Sequence, residues 1–177
     1  TLGIGVGWNH VEYEALDCEW KTRGVRQAEQ IEVLRQLWTE DLVSYEGRFH
    51  SLTEVTVVPA PKQRPIPIWL GGSSDPVIER AAKLGDGWMP ILAPDDAGKV
   101  ALEKLHKHLE LAGRTSETFG VEAWLRFYED DPQAWGTAAD GWRTLGADYA
   151  MLYPMWQMAT LDEQIDLLRR YKDVADG

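Results

Sequence analysis

The stretch Pro65–Pro90, PIPIWLGGSSDPVIERAAKLGDGWMP, contains enough local signals to indicate the kind of fold. An apolar run at Ile66–Leu70 predicts a buried strand, and the turn Gly71–Ser74 leads into a helix over Asp75–Leu84. A second strand opens at Asp86-Gly87-Trp88. Such a βαβ unit is parallel and right-handed. Because its turn presents backbone N–H groups just before a helix N-terminus, where the helix dipole favours an anion, the turn is a candidate phosphate site.

The composition is that of an ordinary globular domain and excludes several classes of function. The chain has 177 residues, of which 44% are hydrophobic and 27% charged. A single domain of this length can bury a sizeable core. The net charge of −11 repels phosphate backbones, so we expect no nucleic-acid partner. No apolar run approaches the roughly 18 residues of a membrane span and no signal-peptide pattern opens the chain, so we expect a cytoplasmic protein without membrane contact.

Side chains that bind metals or form disulfides are few. Cys18 is the only cysteine, which excludes an internal disulfide and a zinc site built from cysteines, and which fits a reducing compartment. The four histidines show no metal-ligand spacing. His106 and His108 are two residues apart on a helical pattern and therefore do not share a face. We predict no metal site.

The chain begins with a strand that is rich in glycine. Leu2–Trp8 alternates apolar residues with Gly3, Gly5 and Gly7. Glycine weakens a strand, so three in alternation indicate that something approaches that face closely. Either the glycines make room inside a crowded barrel, or they clear the floor of a ligand pocket.

A helix and a hairpin separate this strand from the βαβ unit. The spacing of apolar residues over 23–38 predicts an amphipathic helix. A hairpin insertion follows near 42–58, with strands at Val43–Tyr45 and Arg48–Ser51 around the turn Glu46-Gly47. Four prolines between Val57 and Pro67 keep the connection extended.

The same alternation continues after Trp88. We predict a helix capped by Asp95 or Asp96, a strand over 120–127, a helix over about 132–145 and a strand at Asp148–Tyr153. A capping box at Thr160–Glu163 opens the last helix. Its predicted buried stripe consists of Leu161, Ile165, Leu168 and Tyr171.

Five strand-to-helix steps in 177 residues indicate an α/β fold with a parallel sheet. A complete (β/α)8 barrel needs roughly 250 residues. We therefore expect a single partial barrel domain over 1–177, made of the C-terminal five βα units, strands 4 to 8 of a TIM-like barrel. The start at Thr1, without a methionine, fits a part of a longer chain. A complete doubly wound sheet is the alternative.

Three sequence blocks resemble the luciferase-like monooxygenase superfamily, in particular its coenzyme F420-dependent oxidoreductases. The blocks are LGIGVGWN with EYEAL (2–9 and 12–16), VPAPKQRPIPIWLGG (58–72) and GDGWMP (85–90). The resemblance is strong to about Pro94 and weaker beyond it. It implies a TIM-like barrel with the cofactor across the C-terminal ends of the strands.

The resemblance also implies which residues meet the cofactor. Gly71, Gly72 and Ser73 would bind its phosphate; the alternative is that Gly71-Gly72 is only a tight strand-to-helix turn. The loop after the next strand would line the site with Trp88, Pro90 and Ile91. The end of the first strand would add Gly7, Trp8 and Asn9. Some relatives have a glutamate acid where this chain has Trp8, so no catalytic residue is assigned.

The implied function is hydride transfer between F420 and a small organic substrate. An FMN-dependent monooxygenase of the same superfamily would use the same phosphate turn. A non-catalytic barrel fragment that binds a phosphorylated ligand is a third possibility, as is an isomerase, for which Glu122 and Arg126 are the charged candidates. The favoured interpretation of these two side chains is an ion pair inside the barrel. Trp88, Tyr153 and Trp156 indicate an apolar or aromatic substrate, although the same residues would equally serve a core. Because open sheet edges favour pairing with another chain, we also predict association, for example as a homodimer.

Overall fold

The computed structural model describes residues 1–126, 131–153 and 160–176 and shows strands and helices in alternation. The elements in chain order are β1 (Leu2–Ile4), α1 (His10–Ala15), α2 (Arg23–Thr39), β2 (Val43–Glu46), β3 (Ser51–Val55), β4 (Ile68–Gly71), α3 (Asp75–Leu84), β5 (Gly87–Met89), α4 (Asp96–Leu111), β6 (Gly120–Arg126), α5 (Pro132–Thr144), β7 (Tyr149–Tyr153) and α6 (Leu161–Asp176). Two short 3-10 turns lie at Trp20–Thr22 and Ser116–Thr118.

The main sheet is an open half-barrel. Its strand order is β1-β4-β5-β6-β7, and every neighbouring pair is parallel. Strands β2 and β3 form a separate antiparallel hairpin. A doubly wound sheet reverses its strand order at a switch point, whereas this sheet adds each new strand on the same side. The partial TIM-like barrel is therefore confirmed, and the doubly wound alternative is wrong.

One face of the sheet packs against the helices and forms the core. Strand residues that point to this side are buried together with the apolar faces of α3 and α4. Leu105 and Leu109 of α4 are at most 1% exposed, and full burial of such a side chain contributes roughly 1.5–3 kcal/mol. The predicted N-cap of α4 is confirmed, because Asp95 accepts hydrogen bonds from the N–H groups of Ala97 and Gly98.

Two aspartates lock the N-terminal ends of neighbouring strands together. Asp86 Oδ2 accepts from the Ile68 N–H at 2.8 Å and from Arg35 Nη2 at 2.9 Å, which ties β4 and α2 to the start of β5. Asp148 Oδ2 does the same for β6 and β7 by accepting from the Val121 N–H at 2.8 Å. The aspartate of the Gly-Asp-Gly-Trp block is therefore structural and lies at the end of the sheet opposite the candidate phosphate turn.

The second strand of the hairpin begins at Ser51, so the prediction that it runs over Arg48–Ser51 is wrong. The backbone N–H groups of Arg48, Phe49 and His50 instead donate to the carboxylate of Glu29 on α2, at 2.8–3.0 Å, and His50 Nδ1 also lies 2.9 Å from it. Burial, the largest single influence, raises the pKa of Glu29, but the hydrogen bonds from His50 and from the backbone together outweigh it and lower that pKa.

The last helix begins with the predicted capping box but buries a different stripe. Thr160 Oγ1 accepts from the Glu163 N–H, and the Glu163 carboxylate accepts from the Thr160 N–H. Leu167 is 1% exposed, whereas the predicted Leu161, Ile165 and Leu168 are 70%, 36% and 47% exposed. Of the predicted stripe only Tyr171 packs against the core. The helix carries two apolar stripes and packs against α5, and the stripe that contains Leu167 and Tyr171 is the one that joins the core.

Candidate functional site

The turn between β4 and α3 lies at the C-terminal end of the sheet, where barrel enzymes place their sites. Gly72 has φ +123°, a conformation that side chains rarely adopt. Its N–H donates to the Met89 carbonyl at 3.1 Å, and its own carbonyl accepts from Trp88 Nε1 at 2.7 Å. Ser73 Oγ accepts from the Ile91 N–H at 2.9 Å. The turn is therefore fastened to β5 and to the loop that follows it.

This turn leaves backbone donors free. The N–H groups of Ser73 and Ser74 have no hydrogen-bond partner among residues 1–126, 131–153 and 160–176, and the Ser74 side chain makes no cap hydrogen bond to α3. The nearby Asp75 carboxylate pairs with Lys104 Nζ at 2.7 Å, so its charge is partly balanced. Free N–H groups at the start of a ten-residue helix suit an anion such as a phosphate.

Gly3, in β1, and Gly5, just after β1, have different surroundings. A Cβ on Gly3 would lie 3.2 Å from the Met89 methyl carbon, so this glycine makes room for a neighbouring side chain. A Cβ on Gly5 would meet no atom within 4 Å, so the face beside the phosphate turn is open there. Gly3 thus makes room for the Met89 side chain, whereas the space over Gly5 is open.

Aromatic rings line the rest of the concave face. The Trp69 ring occupies the space that side chains on Gly87 and Gly120 would fill, and it meets Tyr149 edge-on at 5.8 Å between centroids. Trp124 stacks on Tyr153 at 5.5 Å. The concave face is therefore a mainly apolar wall.

Trp124 carries an unused hydrogen-bond donor. Its Nε1 is buried and has no acceptor among the described residues. The ring borders a cavity of about 290 Å³ next to Ile91 and Leu92, at the same end of the sheet as the phosphate turn. The sequence analysis missed Trp124. The available signal was its place on the non-apolar side of β6, between Glu122 and Arg126.

The predicted site residues around the turn differ in exposure: some form the turn or lie exposed beside it, and others are buried behind it. Gly71, Gly72 and Ser73 form the turn itself, and Ile91 is 41% exposed beside it. Trp88 and Pro90 are buried almost completely, so their side chains lie behind the turn and do not reach its open face. The Trp88 ring packs in the core behind the turn, where it holds the Gly72 carbonyl.

The residues at the end of β1 are close to solvent. Gly7 has φ +73° and Trp8 is 88% exposed. Asn9 caps α1: its Oδ1 accepts from the Val11 N–H at 3.2 Å and its Nδ2 donates to Glu12 at 3.1 Å. The Asn9 amide is thus used within its own helix.

Several predictions fall partly outside the residues that the structure describes. Trp156 and the Arg126 side chain lie outside them. Glu122 forms no ion pair with any described side chain.

Within the same residues no group of three or more His, Cys, Asp or Glu side chains is arranged to hold a metal, and no helix is long and apolar enough to cross a membrane.

A model of the luciferase-like monooxygenase family matches residues 1–176, nearly the whole chain. The chain belongs to this family. The resemblance carried by the three sequence blocks is therefore confirmed, and the match extends through the C-terminal half, where those blocks gave no support.

Curated relatives add detail about the branch of the family. The chain is 32% identical over 139 residues to an F420-dependent glucose-6-phosphate dehydrogenase of Kineococcus radiotolerans. This match covers 75% of the chain and 41% of that dehydrogenase. It is also 32% identical over 149 residues to an F420-dependent hydroxymycolic acid dehydrogenase of Mycobacterium tuberculosis, covering 82% and 41%. The chain thus spans about two fifths of the length of these relatives.

Solved structures share the fold. The monooxygenase RslO1 from Streptomyces bottropensis superposes with a TM-score of 0.74 at 21% identity, covering 98% of this chain and 66% of that one. An F420-dependent secondary alcohol dehydrogenase gives a TM-score of 0.59 at 17% identity, covering 97% of this chain and 60% of that one. At these identities the likeness concerns the backbone, and it agrees with the half-barrel.

Proposed function

We propose that this chain contributes the phosphate-binding half of a coenzyme F420 site in an oxidoreductase that acts on a small organic substrate. One observation carries the proposal. The turn Gly71–Ser74 presents free N–H groups at a helix N-terminus and is fixed in place by hydrogen bonds from Trp88 and Ile91. A site that is held rigidly before the ligand arrives loses little entropy on binding.

Three features fit such a cofactor. The turn suits its phosphate, the open space over Gly5 allows a flat ring system to approach the strand, and the buried Trp124 Nε1 needs an acceptor. When bound, F420 supplies the hydride chemistry. The chain's own residues bind and orient it, and the apolar wall that includes Trp69 and Met89 keeps water away from the ring.

The relatives support the choice of cofactor. The two dehydrogenases named above are F420-dependent, and they match at 32% identity over 75% and 82% of this chain. We propose that the five βα units correspond to strands 4 to 8 of the family barrel. Strands β1 and β7 each have one unpaired edge among the described residues, and a closed barrel has none.

Equilibrium titration of the 177-residue protein with oxidised F420 and, separately, with FMN tests the proposal. We expect saturable F420 binding that is tighter than FMN binding. Gly72→Ala forces a side chain onto a backbone at φ +123° and 3.4 Å from Val77 Cγ1, so it should weaken F420 binding about tenfold or more. A tenfold change corresponds to roughly 1.4 kcal/mol.

Gly113→Ala is the matched control. Gly113 also has positive φ, at +68°, but a Cβ there would meet nothing within 4 Å, and the residue follows α4 at the opposite end from the turn. This variant should keep wild-type affinity. Binding of neither cofactor would overturn the proposal, and tighter binding of FMN would favour the monooxygenase alternative.

A further inference from the structure

A cleft between helices α2 and α3 is separate from the concave face of the sheet. It has a volume of about 670 Å³ and is bordered by Lys21, Arg23, Ser74, Arg80 and Lys83, among others. It begins at Ser74, the residue that ends the phosphate turn, and runs along α3 to Lys83. At 1.5 Å per helical residue this is a length of about 14 Å.

The cleft is strongly basic in an acidic protein. Four cationic side chains border it against one carboxylate, that of Glu79, although the whole chain has a net charge of −11. Lys83 Nζ lies 2.6 Å from Glu79, so these two charges cancel. Lys21, Arg23 and Arg80 form no ion pair with any carboxylate in the described part of the chain. Three positive charges are therefore left facing one groove.

The two arginines are held in place without an anionic partner. Arg23 Nη1 donates to the Trp20 carbonyl at 3.0 Å, its guanidinium lies 3.6 Å from the centre of the Trp20 ring, and its Nε is buried without an acceptor among the described residues. Arg80 makes one long contact, 3.4 Å, to Gln27 Oε1.

Arg80 is seated against the first turn of α2. Its guanidinium occupies the space that a side chain on Gly24 would fill, and that turn of α2 contains no acidic residue. Burial, first, and the charge of Arg23, second, lower the pKa of Arg80, and the charge of Glu79 opposes them only in part. An anion in the cleft would offset both effects, because it would pair with the buried charge and separate the two like charges.

We propose that the α2–α3 cleft is a second anion site, which binds a chain of carboxylates attached to the group whose phosphate lies on the Gly71–Ser74 turn. This rests on the proposed function, since F420 carries an oligo-γ-glutamate tail beyond its phosphate. The cleft has the position, length and charge for such a tail: it starts at Ser74 and presents cations along its length. Guanidinium groups bind carboxylates with two parallel hydrogen bonds, which suits Arg23 and Arg80.

The test compares three probes: F420 carrying several γ-linked glutamates, the same deazaflavin phosphate without glutamates, and a free γ-linked glutamate oligomer. Each is titrated into the wild-type protein and into Arg80→Gln and Lys21→Gln. The controls are Arg169→Gln on α6 and Lys107→Gln on α4, which remove one positive charge at exposed positions away from the cleft. Circular dichroism establishes that each variant is folded before it is titrated.

We expect the glutamylated form to bind wild type about tenfold more tightly than the form without glutamates. Arg80→Gln should remove most of this difference, and added salt should reduce it, because exposed charges are screened. If the two cofactor forms bind equally but Arg80→Gln still weakens binding of the free oligomer, the cleft is an anion site for a separate ligand.

Two results overturn the proposal in different ways. If Arg80→Gln and Lys21→Gln change the affinity of every probe no more than the controls do, the cleft is not an anion site. If neither cofactor form binds but the free oligomer binds in an Arg80-dependent manner, the cofactor assignment fails while the anion site stands.

Discussion

The hydrogen bond from Trp88 to the phosphate turn is the contact that most directly links the core to the candidate site. Trp88 is 0% exposed, and its Nε1 donates to the Gly72 carbonyl at 2.7 Å. Trp88→Phe keeps an aromatic ring but removes this donor. An unsatisfied buried polar group costs about 1–3 kcal/mol. The loss of roughly 40 Å³ of side chain adds about 1 kcal/mol at 24 cal/mol per Å³, so we expect Trp88→Phe to lower the free energy of unfolding by about 2–4 kcal/mol.

Trp142→Phe provides the comparison. Trp142 is 1% exposed, and its indole donates no hydrogen bond within the described part of the chain. The same volume is lost, so we expect a decrease of only about 1 kcal/mol. The difference between the two variants isolates the bond to the turn.

Urea unfolding followed by circular dichroism measures both variants. With a slope of about 2 kcal/mol per molar urea, the midpoint of Trp88→Phe should fall by roughly 1–2 M and that of Trp142→Phe by about 0.5 M. Amide exchange should also become faster at Gly72 and Ile91 in Trp88→Phe, because their N–H groups form the hydrogen bonds that connect the turn to β5 and to the loop after it. Equal midpoints and unchanged exchange at these two amides would refute the reasoning.

Two further predictions follow from the contacts of α2 and α6. The pKa of Glu29 is lowered on folding. Its contribution to stability is therefore complete above the ordinary glutamate pKa of 4.5 and is lost as the pH falls through the lower pKa of the folded state. Glu29→Gln should be less stable than wild type at pH 7, and its urea midpoint should fall less than that of wild type between pH 6 and pH 3. Leu167→Ala should lower the free energy of unfolding by about 2–5 kcal/mol because Leu167 is fully buried, whereas Leu168→Ala should change it by about 0.5 kcal/mol or less; equal effects in urea unfolding would show that the buried stripe of α6 is assigned incorrectly.

The sequence by itself determined the order of the elements and the shape of the phosphate turn. Alternating apolar residues and apolar residues at helical spacing are local signals, and each predicted helix and parallel strand of the half-barrel is present. The turn Gly71–Ser74 was also predictable, because Gly72 is needed for its backbone conformation and Pro76 favours a helix start. The resemblance to the luciferase-like family rested on three sequence blocks, and the block 58–72 includes Gly71 and Gly72 of this turn.

Only the tertiary structure decided which side chains meet across the fold. The sequence placed Trp88 next to the site, but its alternation with Gly87 and Met89 put the ring on the helix side of the sheet, behind the turn. In the hairpin, the Glu29 carboxylate takes the N–H groups of 48–50 and delays the second strand to Ser51. On α6 the neighbouring helix selects Leu167 from two apolar stripes.

The basic cleft between α2 and α3 shows most clearly what the sequence could not predict and the packing decided. Arg23 and Arg80 are 57 positions apart in the sequence, and each alone is an ordinary charged residue on a helix. Packing of α2 against α3, with Gly24 at the contact, brings the two guanidinium groups together beside the end of the phosphate turn. Periodicity shows which residues share a face of one helix, but it carries no information about which faces of two helices meet, because that depends on how both helices pack on the sheet.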